Sequence, residues 1–513
     1  MATFTIEDIV AGISESLNKL QESNISKIDK SYTMVENPVV SERESKYNSE
    51  YFDKIADDYI EFTYRNPTIF HVVQHFKDQL KKNGFNYISE SKPWSEIEPG
   101  KYFTTRNGSS LVAFVVGSDW SPDLGFGAIG SHIDSLTTVL KPNSTKQKVE
   151  GYELLGVAPY SGTLNNLWWD RDLGIGGRLL VKDSKGKITQ HLVDSTPNPI
   201  AHIPTLAPHF GVEGGDSSNK ETRAVPVIGF SQEEDPKPTE AEKKAPLYGK
   251  HPLKLLRYIA KIANVEVEAI SQWDLQLYDV QKGAKGGINK DFVFAPRVDD
   301  RVCSFAALNA LIDASNEKLL KNDSFSIVAL YDNEEVGSLS RAGARGGLLE
   351  LVVERVLASN YYNPDGEQDY LRLAYANSII LSADVNHLFN PNYPDVYLEH
   401  HRPVPNKGVC ISFDPNGHMA TDSIGVSLLE DLARQNNDKL QYSHIRNDSR
   451  SGGTIGPSIS SKTGVRTIDL GIPQLSMHSI RATLGAKDIG LGTKFFAGFF
   501  KNWRSTYDNY IDL

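Results

Sequence analysis

Cysteine is nearly missing from this chain: Cys303 and Cys410 are the only two among 513 residues, each inside an apolar segment. That count excludes a disulfide framework and predicts buried, reduced thiols. No uninterrupted apolar run is long enough to span a bilayer. Nor does the N-terminus show the charged start and apolar core of a secretory signal. Synthesis in the cytosol without stable membrane insertion is therefore expected. A basic excess is also lacking, since 54 Lys and Arg face 65 Asp and Glu for a net charge of −11. That balance argues against a nucleic-acid partner. With 39% hydrophobic and 23% charged residues, wholesale disorder is excluded as well. Internal repeats are absent. What remains is an ordinary globular composition in a chain too long for one hydrophobic core, so two domains are expected.

The first 47 residues stand apart. Ile6, Ile9, Val10, Ile13, Leu17 and Leu20 recur at helical spacing behind a capping Thr5, and a polar tether with Asn37-Pro38 follows. An amphipathic helix on a tether either docks on its own chain or serves as a detachable address or assembly segment. The globular part opens near Tyr51, with one helix ending toward Asn66-Pro67 and a second running through His71, Val72, Val73, Phe76 and Leu80. Strands are predicted at Leu111–Gly117 and Gly125–Ser131. From about residue 137 to 288 the sequence changes to Gly, Pro and short β-like runs, such as Arg178–Val181 and Ala224–Ile228. Within it, Ser231–Pro246 is mostly Glu, Lys and Pro and should be a solvated loop. Strand–helix alternation returns beyond Lys290. A domain inserted into another explains this better than two in series, giving boundaries of 1–47, 48–136, 137–288 and 289–513.

The chemistry-bearing residues cluster where apolar runs stop. The run Phe325–Tyr331 ends at Asp332-Asn333-Glu334-Glu335; Phe126–Ser131 ends at His132, with Asp134 two residues on. Asn377–Ala383 ends at Asp384, Thr467–Leu470 leads within eight residues to His478, and Asp299 follows Phe292–Phe294. Open α/β sheets place their chemistry at the carboxyl ends of strands. Adjacent carboxylates at a buried strand end repel unless a cation compensates them. His132, Asp299, Glu335, Asp384 and His478 form an O/N donor set suited to Zn²⁺. Five ligands exceed what one catalytic zinc uses and suit two metals roughly 3.5–4 Å apart, with Asp299 as the shared carboxylate. Glu334 is then left over as general base, and Asp134 is placed to accept the second ring N–H of His132. A lone His at a strand end is usually structural and a Glu-Glu pair usually solvated; five such coincidences are far more specific.

Other motifs are weaker. Gly174-Ile175-Gly176-Gly177 lacks the third spaced glycine of a dinucleotide loop and reads as a tight β connection. Ser451–Pro457 lacks the Lys of a phosphate-binding loop and reads as close backbone approach to a substrate. Trp168-Trp169 reads as core or interface.

Five segments carry a family resemblance: Gly130–Ser135, Ala295–Arg301, Tyr331–Ser338, Ser382–His387 and Gln474–Arg481. Over nearly all of residues 50–513 the chain resembles the M18 family of metalloaminopeptidases, and within it the fungal vacuolar members. The resemblance implies an α/β metallopeptidase domain with a central mixed sheet flanked by helices, an inserted β-rich dimerisation domain, and a tetrahedral dodecamer with enclosed active sites. It implies two metal ions, one held by His132, Asp299 and Asp384 and the other by Asp299, Glu335 and His478, with Glu334 as base. Leu206–His209 resembles the family segment whose His reaches the neighbouring subunit's active site, where His209 would polarise the scissile carbonyl or stabilise the oxyanion. Relatives preferring acidic first residues carry a Lys in the segment matching Asp414–Met419. Asn416 aligns with it, so a neutral or apolar first residue such as Leu is expected, with His418 able to supply charge when protonated. Residues 1–47 resemble the vacuolar enzymes in style only. There the segment is a propeptide that binds a selective-autophagy receptor and is removed in the vacuole, which implies cytosolic synthesis and delivery to the vacuole lumen.

The expected function is thus a binuclear zinc aminopeptidase removing Leu-like residues from peptides. The rivals are an aspartyl aminopeptidase of the same family, a carboxypeptidase or deacylase on the same scaffold, a catalytically weak cargo or scaffold protein, and, more distantly, a nucleotide-binding enzyme.

Overall fold

A computed structural model of the chain describes residues 46–95, 97–211, 219–318, 320–361, 369–510 and 512. The chain divides into two compact units, residues 1–48 and 49–513, and every described helix and strand lies in the second. The amphipathic helix expected within residues 1–47 lies outside the described residues.

A nine-stranded mixed sheet forms the centre. Its strands lie in the order Asn86–Tyr87, Gly100–Arg106, Ser110–Val116, Phe325–Tyr331, Gly127–His132, Ile379–Ala383, Arg466–Gly471, Cys410–Phe413 and Gln441–His444. The four strands from Phe325–Tyr331 to Arg466–Gly471 are mutually parallel. Those at Phe325–Tyr331, Gly127–His132 and Ile379–Ala383 are buried along their whole length. Such strands need apolar residues on both faces, and that is why they read as continuous runs. Side chains alternate between two cores: Ile327, Ala329 and Tyr331 pack with the helix Leu348–Asn360. Val328 and Leu330 join Val298–Asn316 and Asp488–Tyr507 on the other face. Both helices predicted near the start are present, at Ser49–Arg65 and Ile69–Lys82. Cys303 and Cys410 are buried and unpaired as expected. Among the described residues no helix is long and apolar enough to cross a membrane.

A second, six-stranded antiparallel sheet draws all its strands from residues 137–279: Ile188–Asp194, Leu173–Lys182, Ile270–Asp279, Thr137–Thr145, Tyr152–Tyr160 and Val227–Phe230. The helix Leu253–Ala263 packs on it, and both Trp168 and Trp169 are buried in the core between them. Here the glycine run departs from expectation. Gly174–Gly177 is no connection but part of the strand Leu173–Lys182, paired throughout with Ile270–Asp279 and from Gly176 onward with Ile188–Asp194 as well. Small residues are needed because the Tyr278 ring lies against Gly174 and Gly176. At Gly177, φ is 146° and a Cβ would stand 2.0 Å from the Asp274 carbonyl oxygen. The apolar run Ala224–Ile228 becomes strand only from Val227, since the turn of helix Lys220–Arg223 precedes it. Ser231–Pro246 is largely exposed, but Glu242 is pinned inside by Arg257. A five-stranded sheet of Ala284–Gly286, Phe292–Ala295, Ala482–Gly485, Pro473–Leu475 and Asn386–His387 completes the fold.

Candidate metal centre

The parallel strands end at one edge of the central sheet, and that edge collects the acidic and imidazole groups. His132 is the last residue of its strand, and Asp384 directly follows Ile379–Ala383. Glu334 and Glu335 occupy the tight turn Glu334–Val336, three residues past Tyr331. Asp299 lies in the irregular first turn of Val298–Asn316, and His478 follows the short strand Pro473–Leu475.

The side chains meet in two groups. His132, Glu334 and Asp384 offer ligand atoms within 4.8 Å of one another, as do Asp299, Glu335 and His478. Asp299 faces both imidazoles: Oδ1 is 3.1 Å from His132 Nε2 and Oδ2 is 3.4 Å from His478 Nε2. His132 Nε2 is 3.4 Å from Asp384 Oδ1 and 3.9 Å from Glu334 Oε2, and His478 Nε2 is 3.8 Å from Glu335 Oε2. All five ligand candidates and Glu334 therefore converge.

Electrostatics give the donor set its character. Burial, with Asp299 adding to it, pushes the Glu335 carboxyl up to about 10. Burial likewise lifts Glu334 to about 8, opposed by His132 and reinforced by Asp384. Burial disfavours a charged His132, yet Asp384, Asp134 and Asp299 outweigh it and raise the imidazole well above its usual range. Four carboxylates and two imidazoles crowd this edge, and Glu335 Oε1 is buried without a partner. Donors crowded in this way fit divalent cations such as zinc.

Asp134 organises the site from behind. Its Oδ1 is 3.2 Å from His132 Nδ1, which puts the ring proton there and leaves Nε2 facing the cluster. The backbone N–H groups of Glu334 and Glu335 also donate to it, each at 3.2 Å. Two contributors were not singled out from the sequence: Thr454, inside the Ser451–Pro457 segment, and Tyr160. Thr454 Oγ1 donates to Asp384 Oδ2 at 2.7 Å. Burial works against ionisation of Asp384, but His132 and this bond hold its carboxyl below the ordinary value. Tyr160, from the six-stranded sheet, donates to Asp134 Oδ2 at 2.7 Å. A Thr directly before a helix start would have drawn attention to Thr454 as a cap; nothing local marks Tyr160.

Beside the Asp299 group lies a cavity walled by Leu136, Trp168, Tyr278, Ile480 and Ala482, with Gln474 on its lining. Gln474 is buried and neither of its amide atoms has a partner. Arg297 and Arg301 reach the cavity too, but donate to backbone carbonyls at Thr63, Asn66 and Pro67. Three sequence candidates lie outside both clusters. His209 is exposed in the turn Pro208–Phe210 and belongs to neither group. Asn416 is exposed beyond the strand Cys410–Phe413, and His418 Nδ1 is 2.7 Å from Asp414 Oδ2.

Residues 62–500 match the family described as Aminopeptidase I zinc metalloprotease (M18). The chain belongs to the M18 family. It is 57% identical to vacuolar aminopeptidase 1 of Saccharomyces cerevisiae over 90% of this chain and 91% of that one. It is 38% identical to an aspartyl aminopeptidase of Aspergillus oryzae over 88% and 96% of the respective chains. The solved structure of the S. cerevisiae mApe1 dodecamer superposes with a TM-score of 0.82 at 53% identity, covering 90% of this chain and all of that one. This M18 chain is thus a metalloaminopeptidase using a divalent metal, with zinc the family's ion.

Proposed function

We propose that this M18 enzyme holds two zinc ions per subunit and removes neutral, Leu-like residues from peptide N-termini. One ion is assigned to His132, Asp299 and Asp384, the other to Asp299, Glu335 and His478. The observation that carries the reading is the position of Asp299, whose two oxygens face the two imidazoles. Bound zinc supplies Lewis acidity toward the scissile carbonyl. Glu334 accepts a proton from the attacking water and returns it to the leaving amine, a role that suits a carboxyl whose Oε2 lies 3.9 Å from His132 Nε2. Asp134 keeps His132 in one tautomer. The absence of a Lys at Asn416 supports a neutral first residue. The aspartyl relative keeps acidic preference as a second reading.

Assembly and delivery belong to the same proposal. Residues 137–288 act as an inserted dimerisation domain within a tetrahedral dodecamer, and His209 serves the active site of an adjacent subunit. The dodecamer of the S. cerevisiae relative supports that order of assembly. Residues 1–47 act as a propeptide read by a selective-autophagy receptor, and the vacuolar relative supports delivery to the vacuole lumen. Retention of every ligand candidate and of Glu334 speaks against a mere scaffold.

The test is hydrolysis of Leu-, Asp- and N-acetyl-Leu-anilides with and without chelator, beside Glu334→Gln. Chelator-sensitive cleavage of Leu-anilide, lost in the variant, is expected. Preference for Asp-anilide would overturn the neutral specificity alone. Cleavage of the acetylated substrate would indicate a deacylase, and no cleavage by assembled, zinc-loaded protein would favour the scaffold. Fluorescent fusions with and without residues 1–47 test the delivery role.

A further inference from the structure

We infer that Tyr160 is a positioning residue for the catalytic carboxylates, tying the six-stranded sheet to the reacting edge of the central sheet. The inference rests on the zinc-site reading above. Tyr160 ends the strand Tyr152–Tyr160 and pairs with Thr137 of the neighbouring strand. Its backbone N–H donates to Thr163 Oγ1 at 3.0 Å, which fixes its main chain where the strand ends. Its hydroxyl, by contrast, sits among residues of the central sheet. It donates to Asp134 Oδ2 at 2.7 Å and accepts from Asn333 Nδ2 at 3.0 Å.

Those two contacts bracket the acid pair. Asn333 directly precedes Glu334, and its other amide atom, Oδ1, accepts from Ser340 Oγ at 2.7 Å. That fixes the amide with its N–H₂ toward Tyr160. Asp134 takes four donors, two on each oxygen: His132 Nδ1 and the Glu334 N–H on Oδ1, Tyr160 and the Glu335 N–H on Oδ2. Four donors fill the carboxylate's acceptor sites, and the tyrosine supplies the shortest bond. Burial and the nearby Asp134 and Asp332 carboxylates raise the hydroxyl's pKa well above the usual tyrosine range, so it remains a donor. Without this hydroxyl, a buried carboxylate at the back of His132 keeps three donors, and the Asn333 amide loses its acceptor. Asp134 Oδ2 is then held by the Glu335 N–H alone, which loosens the His132 tautomer and the placement of Glu334 and Glu335.

The experiment uses the full chain carrying Tyr160→Phe, which keeps the ring. Partners behind metal ligands typically change metal affinity or activity by about 10–100-fold. At saturating zinc, kcat on Leu-anilide should fall about tenfold while KM stays within about twofold. In competition with a chromophoric chelator, the free zinc needed for half occupancy should rise about tenfold. Circular dichroism and gel filtration must match wild type, which separates positioning from misfolding. Wild-type kcat and zinc affinity in a correctly folded variant overturn the inference, and so does a loss confined to KM. If the wild type cleaves no anilide yet Tyr160→Phe still binds zinc more weakly, the peptidase reading fails while the positioning role of Tyr160 stands.

Discussion

Thr454→Val should weaken zinc binding by removing the hydrogen bond that aims Asp384. Thr454 is extended, with φ of −145°, and directly precedes the helix Ile455–Thr463. At that position a Thr hydroxyl ordinarily caps a free N–H of the first turn, and losing it costs about 1 kcal/mol. Here the side chain makes no capping bond; it donates instead to Asp384 Oδ2 at 2.7 Å. The other Asp384 oxygen faces His132 at 3.4 Å. Val has nearly the shape of Thr, so the perturbation is one hydrogen bond to a charged group, about 1.5–3 kcal/mol. The bond is present without metal too, so metal-free stability carries part of that energy; at about 1.4 kcal/mol per factor of ten, zinc affinity should fall by up to about tenfold. The assay is equilibrium competition against a chromophoric zinc chelator, with thermal unfolding of the metal-free protein alongside. Thr454→Ser, which restores the hydroxyl, should recover affinity. Unchanged zinc affinity in Thr454→Val would refute the reasoning.

Gly471→Ala should destabilise the protein by more than the roughly 1–3 kcal/mol of ordinary overpacking. A Cβ there would stand 1.6 Å from the Asp384 carbonyl oxygen, and denaturant unfolding measures the loss. Glu242 supplies a pH test: Arg257, with the Thr239 N–H, holds its carboxyl at about 2 against an ordinary 4.5. Between those values the unfolded chain binds more protons, so stability is fully present above pH 4.5 and lost as pH falls through about 2. Arg257→Met should flatten that acid dependence in thermal scans from pH 5 downward. Asn416→Lys should shift the ratio of Asp- to Leu-anilide turnover by roughly tenfold toward Asp, the effect of about 1.4 kcal/mol of charge pairing. An unchanged ratio would remove Asn416 from the specificity site.

Much of the central sheet was legible because its strands are buried on both faces. Phe325–Tyr331 and Ile379–Ala383 therefore stand out as apolar runs broken only by Ser326 and Ser382, and the polar residues that follow them lie at the carboxyl ends of the strands. The two early helices were readable from apolar spacing in the same way. The reading failed where local pattern and tertiary packing conflict. Gly174–Gly177 looks like a turn, yet it is strand because Tyr278 and the Asp274 carbonyl occupy the space that side chains would need.

By itself, then, the sequence determined which residues end the strands, and so which imidazoles and carboxylates were available at the edge. Only the tertiary structure decided how they meet. It put the two oxygens of Asp299 toward His132 and His478, turned Thr454 from helix cap to partner of Asp384, and delivered Tyr160 to Asp134. The reason is physical. Periodicity and strand ends are local properties of the chain, whereas these contacts join segments that become neighbours only once strand order and the placement of the second sheet are set.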